Sequence, residues 1–263
     1  MSNRDTGIIF FDIDHTSFQT DIFDAPASTK KAFAELKKRG MKLGICTSRA
    51  YEELATLPKD YLDTMDVTVC STGAQIRYAE TIQRIEIPYA DALEAIAFFE
   101  AEHIAYRYET MDSKAYLAVK EQKYRDIFEH LYHMCPPYKK YENEHIDQIL
   151  FYNNDGSTAG IVQKRFPSLS IVAQKDSCEL LACGISKASG MKTAAEHFGF
   201  SLAQTAAFGD GDNDADMLKE ADIGIAMGNA TEACKEAADY LTGTIENDGL
   251  YDACRHFGWL LSD

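Results

Sequence analysis

Residues 6–16 read Thr-Gly-Ile-Ile-Phe-Phe-Asp-Ile-Asp-His-Thr, an apolar run that ends in two carboxylates and a hydroxyl. The run Gly7 to Phe11 is short, continuous and rich in branched and aromatic side chains, which predicts a strand buried on both faces of a sheet. Ligands of open α/β sheets bind beyond the carboxyl ends of the strands, so we expect Asp12 to face a site. Asp14 can point to the same side if the chain stays extended. The alternative is a capped turn, because Asp side chains often bond the nearby backbone.

Length, charge and cysteine content limit the class of protein. The chain has 263 residues, 46% of them apolar, which suits a globular protein of two domains. A formal net charge of −16 argues against nucleic acid as a partner, because phosphate contacts need clustered Lys and Arg. We expect neither a secretory signal nor a membrane span, since no long apolar stretch occurs. Seven scattered cysteines, none in C-x-x-C spacing, favour free thiols in a reducing cytoplasm.

Two more predicted strands end in polar residues. A helix with Ser28 or Thr29 as its N-cap precedes the strand Met41 to Cys46, and strand, helix and strand in this order predict a right-handed parallel unit. That strand runs into Thr47, and a later strand, Thr205 to Phe208, runs into Gly-Asp-Gly-Asp-Asn-Asp. Coincidence explains three such strand ends poorly, so the pattern favours a site at one edge of the sheet.

Between residues 83 and 181 the pattern changes to strand-like pieces that alternate with amphipathic helices, and no acid cluster resembling that of Asp12 and Asp14 occurs there. The first of these pieces is a predicted strand over Ile85 to Pro88. We interpret residues 83–181 as a second α/β domain, inserted into a parallel-sheet core that is formed by residues 1–82 and 182–263.

The first residues of the polar stretch at Asp210, Asp-Gly-Asp-Asn-Asp, match the start of a calcium-binding EF-hand loop. That loop needs Gly at its sixth position and Glu at its twelfth, where this chain has Ala215 and Ala221. The pattern fits Mg²⁺ better, because Mg²⁺ keeps several waters and takes one or two carboxylates plus a substrate phosphate. We therefore expect Asp12 and Asp210 to share one Mg²⁺.

The same residue types suit phosphoryl transfer. With a cation nearby, Asp12 can attack phosphorus and form an aspartyl-phosphate, and Asp14 can give a proton to the leaving oxygen and later take one from water. Thr47 offers a hydroxyl and a backbone N–H to the phosphate, and Lys187 offers a positive charge. An isolated Lys is more often a solvated surface residue, and that alternative stays open for Lys187.

The order Asp-x-Asp-x-Thr, Thr-x-Arg, a late Ser-Lys and Gly-Asp-x-x-Asn-Asp resembles the haloacid-dehalogenase-like (HAD) superfamily of phosphohydrolases. The large insert and the tail Ala-Met-Gly-Asn-Ala over residues 226–230 resemble its Cof-type branch. The resemblance implies a Rossmann-like core with an inserted α/β cap that closes over the site and selects the substrate. Arg107, Tyr108, Lys114 and Tyr116 are candidates for substrate contacts in the cap, chosen only for their polarity.

The resemblance also implies a role for each residue that matches a motif. These roles are the nucleophile Asp12, the general acid/base Asp14, the phosphate ligands Thr47, Lys187 and Asn213, the Mg²⁺ ligands Asp12, Asp210 and the backbone carbonyl of Asp14, and Asp214 as a support of the metal site. Three positions depart from the usual Cof-type pattern, namely His15, Ser48 and Thr72 where Gly, Gly and Asn are common. His15 could contact the substrate, or it could simply pack or face water.

The function predicted from the sequence is that of a cytoplasmic, Mg²⁺-dependent phosphatase for small phosphorylated metabolites, with sugar phosphates as the leading class by resemblance. We expect neither nucleic acid nor membrane as a partner, and a monomer or a weak homo-oligomer. Two alternatives remain at this stage. A phosphotransferase or mutase would use the same aspartyl-phosphate, and a catalytically idle sensor would only bind a phosphorylated ligand.

Overall fold

The computed structural model describes residues 6–152, 157–174 and 176–260, and in these ranges the chain forms two sheets with helices packed on them. Within them no helix combines the length and the apolar character that a membrane crossing requires.

The strands, in chain order, are β1 Ile8–Phe11, β2 Lys42–Cys46, β3 Val67–Cys70, β4 Gln75–Arg77, β5 Ile82–Arg84, β6 Tyr106–Thr110, β7 Ala115–Leu117, β8 Ile146–Tyr152, β9 Ser170–Ala173, β10 Ser177–Leu181, β11 Thr205–Gly209, β12 Ile223–Ala226 and β13 Tyr240–Leu241. The α-helices are α1 Ala27–Lys38, α2 Lys59–Asp63, α3 Tyr89–Ala101, α4 Gln122–Tyr132, α5 Thr158–Arg165, α6 Lys187–His197, α7 Ala215–Glu220, α8 Glu232–Ala237 and α9 Gly249–His256. Short 3₁₀ turns occupy Tyr51–Thr56, Ser71–Gly73, Leu202–Gln204, Asp212–Asp214 and Ile245–Asn247.

The first sheet is organised around β1. Its order is β13-β12-β11-β1-β2-β3-β4-β5, with every pairing from β13 to β3 parallel and the last two antiparallel. Because β1 lies between β11 and β2, the residues that follow these three strands meet at one edge. This arrangement confirms the predicted parallel α/β core.

Side chains of β1 alternate between two apolar layers, which explains its unbroken apolar sequence. Ile9 and Phe11 pack with residues of α1 and α9 on one face of the sheet. Ile8 and Phe10 pack with residues of α6 and α7 on the other. Gly44 of β2 lets the neighbouring strand fit against this layer, because a Cβ there would lie 2.6 Å from the Phe10 ring.

The second sheet, of order β7-β6-β8-β10-β9, is antiparallel and covers the carboxyl edge of the first. Its outer face carries Tyr106 and Phe151, which pack against the α3 side chain Phe99, and Tyr108, which packs in the same apolar cluster. Its inner face carries polar side chains, and two of them, Glu109 and Glu179, accept hydrogen bonds from the loop that follows β3.

Two local predictions differ from the structure. Helix α1 begins at Ala27, after Pro26, and neither Ser28 nor Thr29 caps it. Residues 85–88 are not a strand, whereas residues 75–77 and 82–84 form a hairpin that extends the first sheet. Those two strands are three residues long and mostly polar, so no apolar alternation marks them. The predicted division at residues 82 and 182 stays a prediction, although β5 continues the first sheet to Arg84.

Candidate active site

The site is built on a buried lysine between two carboxylates. Lys187 is the first residue of α6, and its Nζ lies 2.6 Å from Oδ1 of Asp12 and 2.7 Å from Oδ1 of Asp214. The side chains of Lys187 and Asp214 are each only 1% exposed. The structure therefore excludes the alternative in which Lys187 is a solvated surface residue. A buried cation of this kind is stable only because both carboxylates pair with it.

Asp210 completes an acidic cluster with Asp12 and Asp214. One carboxylate oxygen from each of the three residues lies within 4.8 Å of the others. Burial first raises the pKa of Asp210, and the negative charge of Asp214 raises it further. Burial likewise raises the pKa of Asp12 well above its ordinary value, although Lys187 opposes the shift. A divalent cation would relieve this repulsion, so the donor set fits Mg²⁺.

Asp214 and Asp210 have different hydrogen-bond partners within the cluster. Oδ2 of Asp214 accepts the backbone N–H groups of Asp210 and Gly211, at 3.0 and 2.9 Å. Since its other oxygen pairs with Lys187, Asp214 is better placed to hold the loop than to bind an ion. Asp210 accepts hydrogen bonds from the Thr16 hydroxyl at 2.8 Å and the Asn229 amide at 2.9 Å, which orient its carboxylate.

Asp14 is held by a buried arginine. Arg49 Nε donates to Oδ2 of Asp14 at 3.0 Å, and a second guanidinium nitrogen donates to Oδ1. The guanidinium carbon of Arg49 stands 4.2 Å from the ring centre of Tyr132, the last residue of α4. The Thr20 hydroxyl also donates to Asp14, at 3.0 Å. Arg49, in the loop after β2, thus connects the proposed acid/base Asp14 to α4, which packs on the second sheet.

Thr47 follows β2 at the same edge and is 1% exposed. Its backbone carbonyl accepts the N–H of Thr72 at 3.1 Å, which joins it to the loop after β3. Ser71, Thr72 and Gly73 in that loop all have positive φ, a rare conformation for β-branched Thr72. Gly73 is needed there, because a Cβ would lie 2.2 Å from the Ser186 carbonyl oxygen.

The remaining predicted residues differ in their positions relative to this site. Asn213 is half-buried in the turn Asp212–Asp214, and its amide oxygen lies over Gly211. His15 has a φ of 59°, and its carbonyl oxygen accepts a hydrogen bond from the Asn229 amide at 3.3 Å. Of the candidates in the insert, Arg107 is on the inner face, whereas Lys114 pairs with exposed Asp112 and Tyr108 points outward.

Sequence reasoning assigned no role to Arg49, Thr16 or Asn229. Arg49 and Thr16 occur in the motifs Thr-x-Arg and Asp-x-Asp-x-Thr, and Asn229 occurs in the tail of residues 226–230, but none of these patterns indicated what the side chain contacts. Their partners are distant in the chain, since Thr16 and Asp210 are separated by 194 positions and Arg49 and Asp14 by 35. No local pattern could have revealed these pairs.

Comparison with known proteins decides the family. The sequence model described as haloacid dehalogenase-like hydrolase matches residues 9–254. The chain belongs to this family. The predicted membership in the HAD superfamily is thereby confirmed.

Individual relatives match either nearly the whole chain or a part of it. One relative is YkrA of Bacillus subtilis (strain 168), whose name assigns it provisionally to the phosphatases. The two sequences are 29% identical over 97% of this chain and 99% of the YkrA chain. The 5-amino-6-(5-phospho-D-ribitylamino)uracil phosphatase YcsE of the same strain is 46% identical, over 32% of each chain. The solved structure of the HAD subclass IIB sugar phosphatase BT4131 matches with a TM-score of 0.89 at 28% identity, over 97% of this chain and 100% of that one.

Proposed function

We propose that this HAD-family protein is a Mg²⁺-dependent phosphatase that hydrolyses small phosphorylated metabolites, sugar phosphates foremost, through an aspartyl-phosphate on Asp12. The observation that carries the proposal is the buried arrangement of Asp12, Lys187 and Asp214 beside Asp210. It supplies a nucleophile, a fixed positive charge and carboxylate ligands within one small volume. The likeness to a sugar phosphatase at 28% identity supports the substrate class.

In the proposed reaction, a carboxylate oxygen of Asp12 forms a bond to phosphorus while the bond from phosphorus to the leaving oxygen breaks. Lys187 neutralises negative charge on both the nucleophile and the transferred group. Asp14 gives its proton to the leaving oxygen, and Arg49 and Thr20 orient it for that transfer. Water then attacks phosphorus, Asp14 takes a proton from it, and the bond between Asp12 and phosphorus breaks.

Mg²⁺ would be held by Asp12, Asp210 and the backbone carbonyl of Asp14, and when bound it supplies positive charge to the phosphoryl oxygens. Asp214 would keep the loop of Asp210 in place. Thr47 and Asn213 would donate hydrogen bonds to the phosphate.

We also propose that residues 83–181 form the cap that admits the substrate and excludes bulk water during the reaction. Contacts of the end of α4 with loops of the rest of the chain support this role. The Thr56 hydroxyl donates to the Tyr132 carbonyl at 2.9 Å, and Phe23 stacks on His133 with ring centres 3.8 Å apart. The cytoplasm is the proposed location, because the cysteines within the described ranges are free thiols and most of them are buried.

The test is release of inorganic phosphate from a panel of phosphorylated sugars, nucleotides and cofactors, with Mg²⁺ and with a chelator. We expect metal-dependent release from a few sugar phosphates and none in chelator. An isomerised sugar phosphate formed without phosphate release would indicate a mutase instead. If the folded protein releases phosphate from no member of the panel, the proposed hydrolysis is wrong.

A further inference from the structure

The loop Ser71–Gly73 between β3 and β4, which we call the β3–β4 loop, has an unusual backbone. Ser71 and Thr72 have φ values of 51° and 53°, and this is the only place among the described residues where two consecutive non-glycine residues have positive φ. Thr72 is also the only β-branched residue with positive φ within the described ranges. Left-handed backbone is unfavourable for residues with a Cβ, most of all for β-branched ones, so other contacts must stabilise this loop.

The hydroxyl groups of both residues bond acids of the second sheet. Ser71 Oγ donates to Oε2 of Glu109 on β6 at 2.9 Å, and Thr72 Oγ1 donates to Oε2 of Glu179 on β10. All four residues are fully buried. The other oxygen of Glu179 accepts a hydrogen bond from the side-chain amide of Gln174 at 2.7 Å, which fixes the carboxyl group. Each left-handed residue is therefore bonded by its side chain to one buried acid of the second sheet.

Both acids can accept these hydrogen bonds at neutral pH. Burial raises the pKa of Glu109 and the pKa of Glu179 to about 7. An ionised carboxylate accepts hydrogen bonds on both oxygens, and a protonated carboxyl group keeps an oxygen that accepts. The hydrogen bonds to the loop therefore persist when either acid takes up a proton.

The β3–β4 loop contacts both segments that carry proposed phosphate ligands. On one side, the backbone N–H of Thr72 donates to the carbonyl oxygen of Thr47 at 3.1 Å. On the other side, a Cβ on Gly73 would lie 2.2 Å from the carbonyl oxygen of Ser186, the residue before Lys187. A change in the backbone of this loop would therefore displace one or both of the phosphate ligands.

We propose that Glu109 and Glu179 are positioning residues, which hold the β3–β4 loop in its left-handed conformation and thereby keep Thr47 and Lys187 in place for phosphate binding. This inference rests on the proposed phosphatase function and adds two residues that act on the phosphate site from the second sheet. It follows that the phosphate site has this geometry only while the second sheet covers the carboxyl edge of the first.

A double-mutant cycle at Thr72 and Glu179 tests the inference. Asn adopts the left-handed conformation more readily than Thr, so the loop of the Thr72→Asn variant should depend less on Glu179. Two quantities are measured with Mg²⁺ present, namely the Kd for inorganic phosphate by isothermal titration calorimetry, and kcat/KM for the sugar phosphate that the parent hydrolyses fastest. Glu179→Met should weaken phosphate binding and lower kcat/KM about 10-fold or more, but less than about threefold in the Thr72→Asn background.

Two further variants separate positioning from other roles. Glu179→Gln keeps an acceptor for the Thr72 hydroxyl, so its losses should be severalfold smaller than those of Glu179→Met. The matched control is Glu100→Met, because Glu100 of α3 accepts the hydroxyl of Tyr106 at 3.5 Å on the opposite face of the second sheet. This control should leave both quantities within about twofold of the parent.

Thermal melting monitors the folding of every variant. If Glu179→Met does not fold, the same cycle with Ser71→Asn and Glu109→Met decides the result. The inference is overturned if the folded acid variants bind phosphate and turn over substrate within about twofold of the parent, or if the loss is equal in both backgrounds.

Failure of the phosphatase function gives a different result. A parent protein that binds inorganic phosphate but releases none from any phosphate ester would refute hydrolysis, and the cycle of Kd values would still decide the role of the acids. A parent protein that neither binds phosphate nor releases it would refute both.

Discussion

Replacing Lys187 by Met tests the centre of the proposed site. The substitution keeps the length of the side chain and its helix propensity, but it removes the charge between Asp12 and Asp214. Both carboxylates would then be buried without the cation that compensates them. The variant should therefore lose stability as well as activity, whereas a lysine needed only for phosphate binding would affect activity alone.

The two distances set the magnitude. At 2.6 and 2.7 Å, and with an effective dielectric constant of about 20, each ion pair contributes about 6 kcal/mol of Coulomb energy. Desolvation of the three ions offsets most of that sum. Breaking a buried pair by removing one partner typically costs about 3–5 kcal/mol, which is the loss in unfolding free energy that we expect for Lys187→Met.

The assay is urea unfolding followed by circular dichroism, in chelator so that a bound metal does not mask the effect. Lys192→Met is the control, since Lys192 is exposed on the same helix, and it should change the unfolding free energy by less than about 0.5 kcal/mol. If the two variants differ by less than about 1 kcal/mol, the carboxylates do not depend on Lys187, and the electrostatic account of the site is wrong.

Substitutions at three further residues test the site and the stability of the fold. Asp12→Asn should lower phosphate release by about 1000-fold or more while circular dichroism shows an intact fold, because an amide cannot act as the nucleophile; substantial remaining turnover would contradict the assignment. Arg49→Met should lower kcat about 10- to 100-fold with a smaller change in KM, since Asp14 loses its orientation, and Arg49→Lys should recover part of it; a kcat within twofold of the parent would refute this role. Burial raises the pKa of Glu179 from 4.5 to about 7, so the folded state keeps a proton that the unfolded chain releases, and this stability is lost as the pH rises. Other buried acids with raised pKa values add to the same loss, so Glu179→Gln should reduce the fall in unfolding free energy between pH 5 and 8, measured by urea unfolding, by about 2.5 kcal/mol and not abolish it. An identical pH slope in the variant would exclude Glu179 as a source.

The sequence predicted the elements whose signals are local. The apolar run of β1 and the polar residues after β1, β2 and β11 were enough to predict a parallel sheet with one functional edge, and the comparisons confirm the family. The short strands β4 and β5 were missed because three-residue, largely polar strands depend on their neighbours in the sheet. The start of α1 was misplaced because Ser28 and Thr29 have good N-cap side chains, yet the helix begins directly after Pro26.

What the sequence determined by itself is therefore the kind of chemistry available, since the carboxylates, the hydroxyl and the lysine are identified by type and by position after a strand. The tertiary structure alone decided which of them touch. It buried Lys187 between Asp12 and Asp214, set Arg49 against Asp14, and brought Glu109 of β6 to Ser71 at the same edge. The physical reason is that these contacts join segments far apart in the chain, and their energies depend on burial and distance, which only the packing of the two sheets sets.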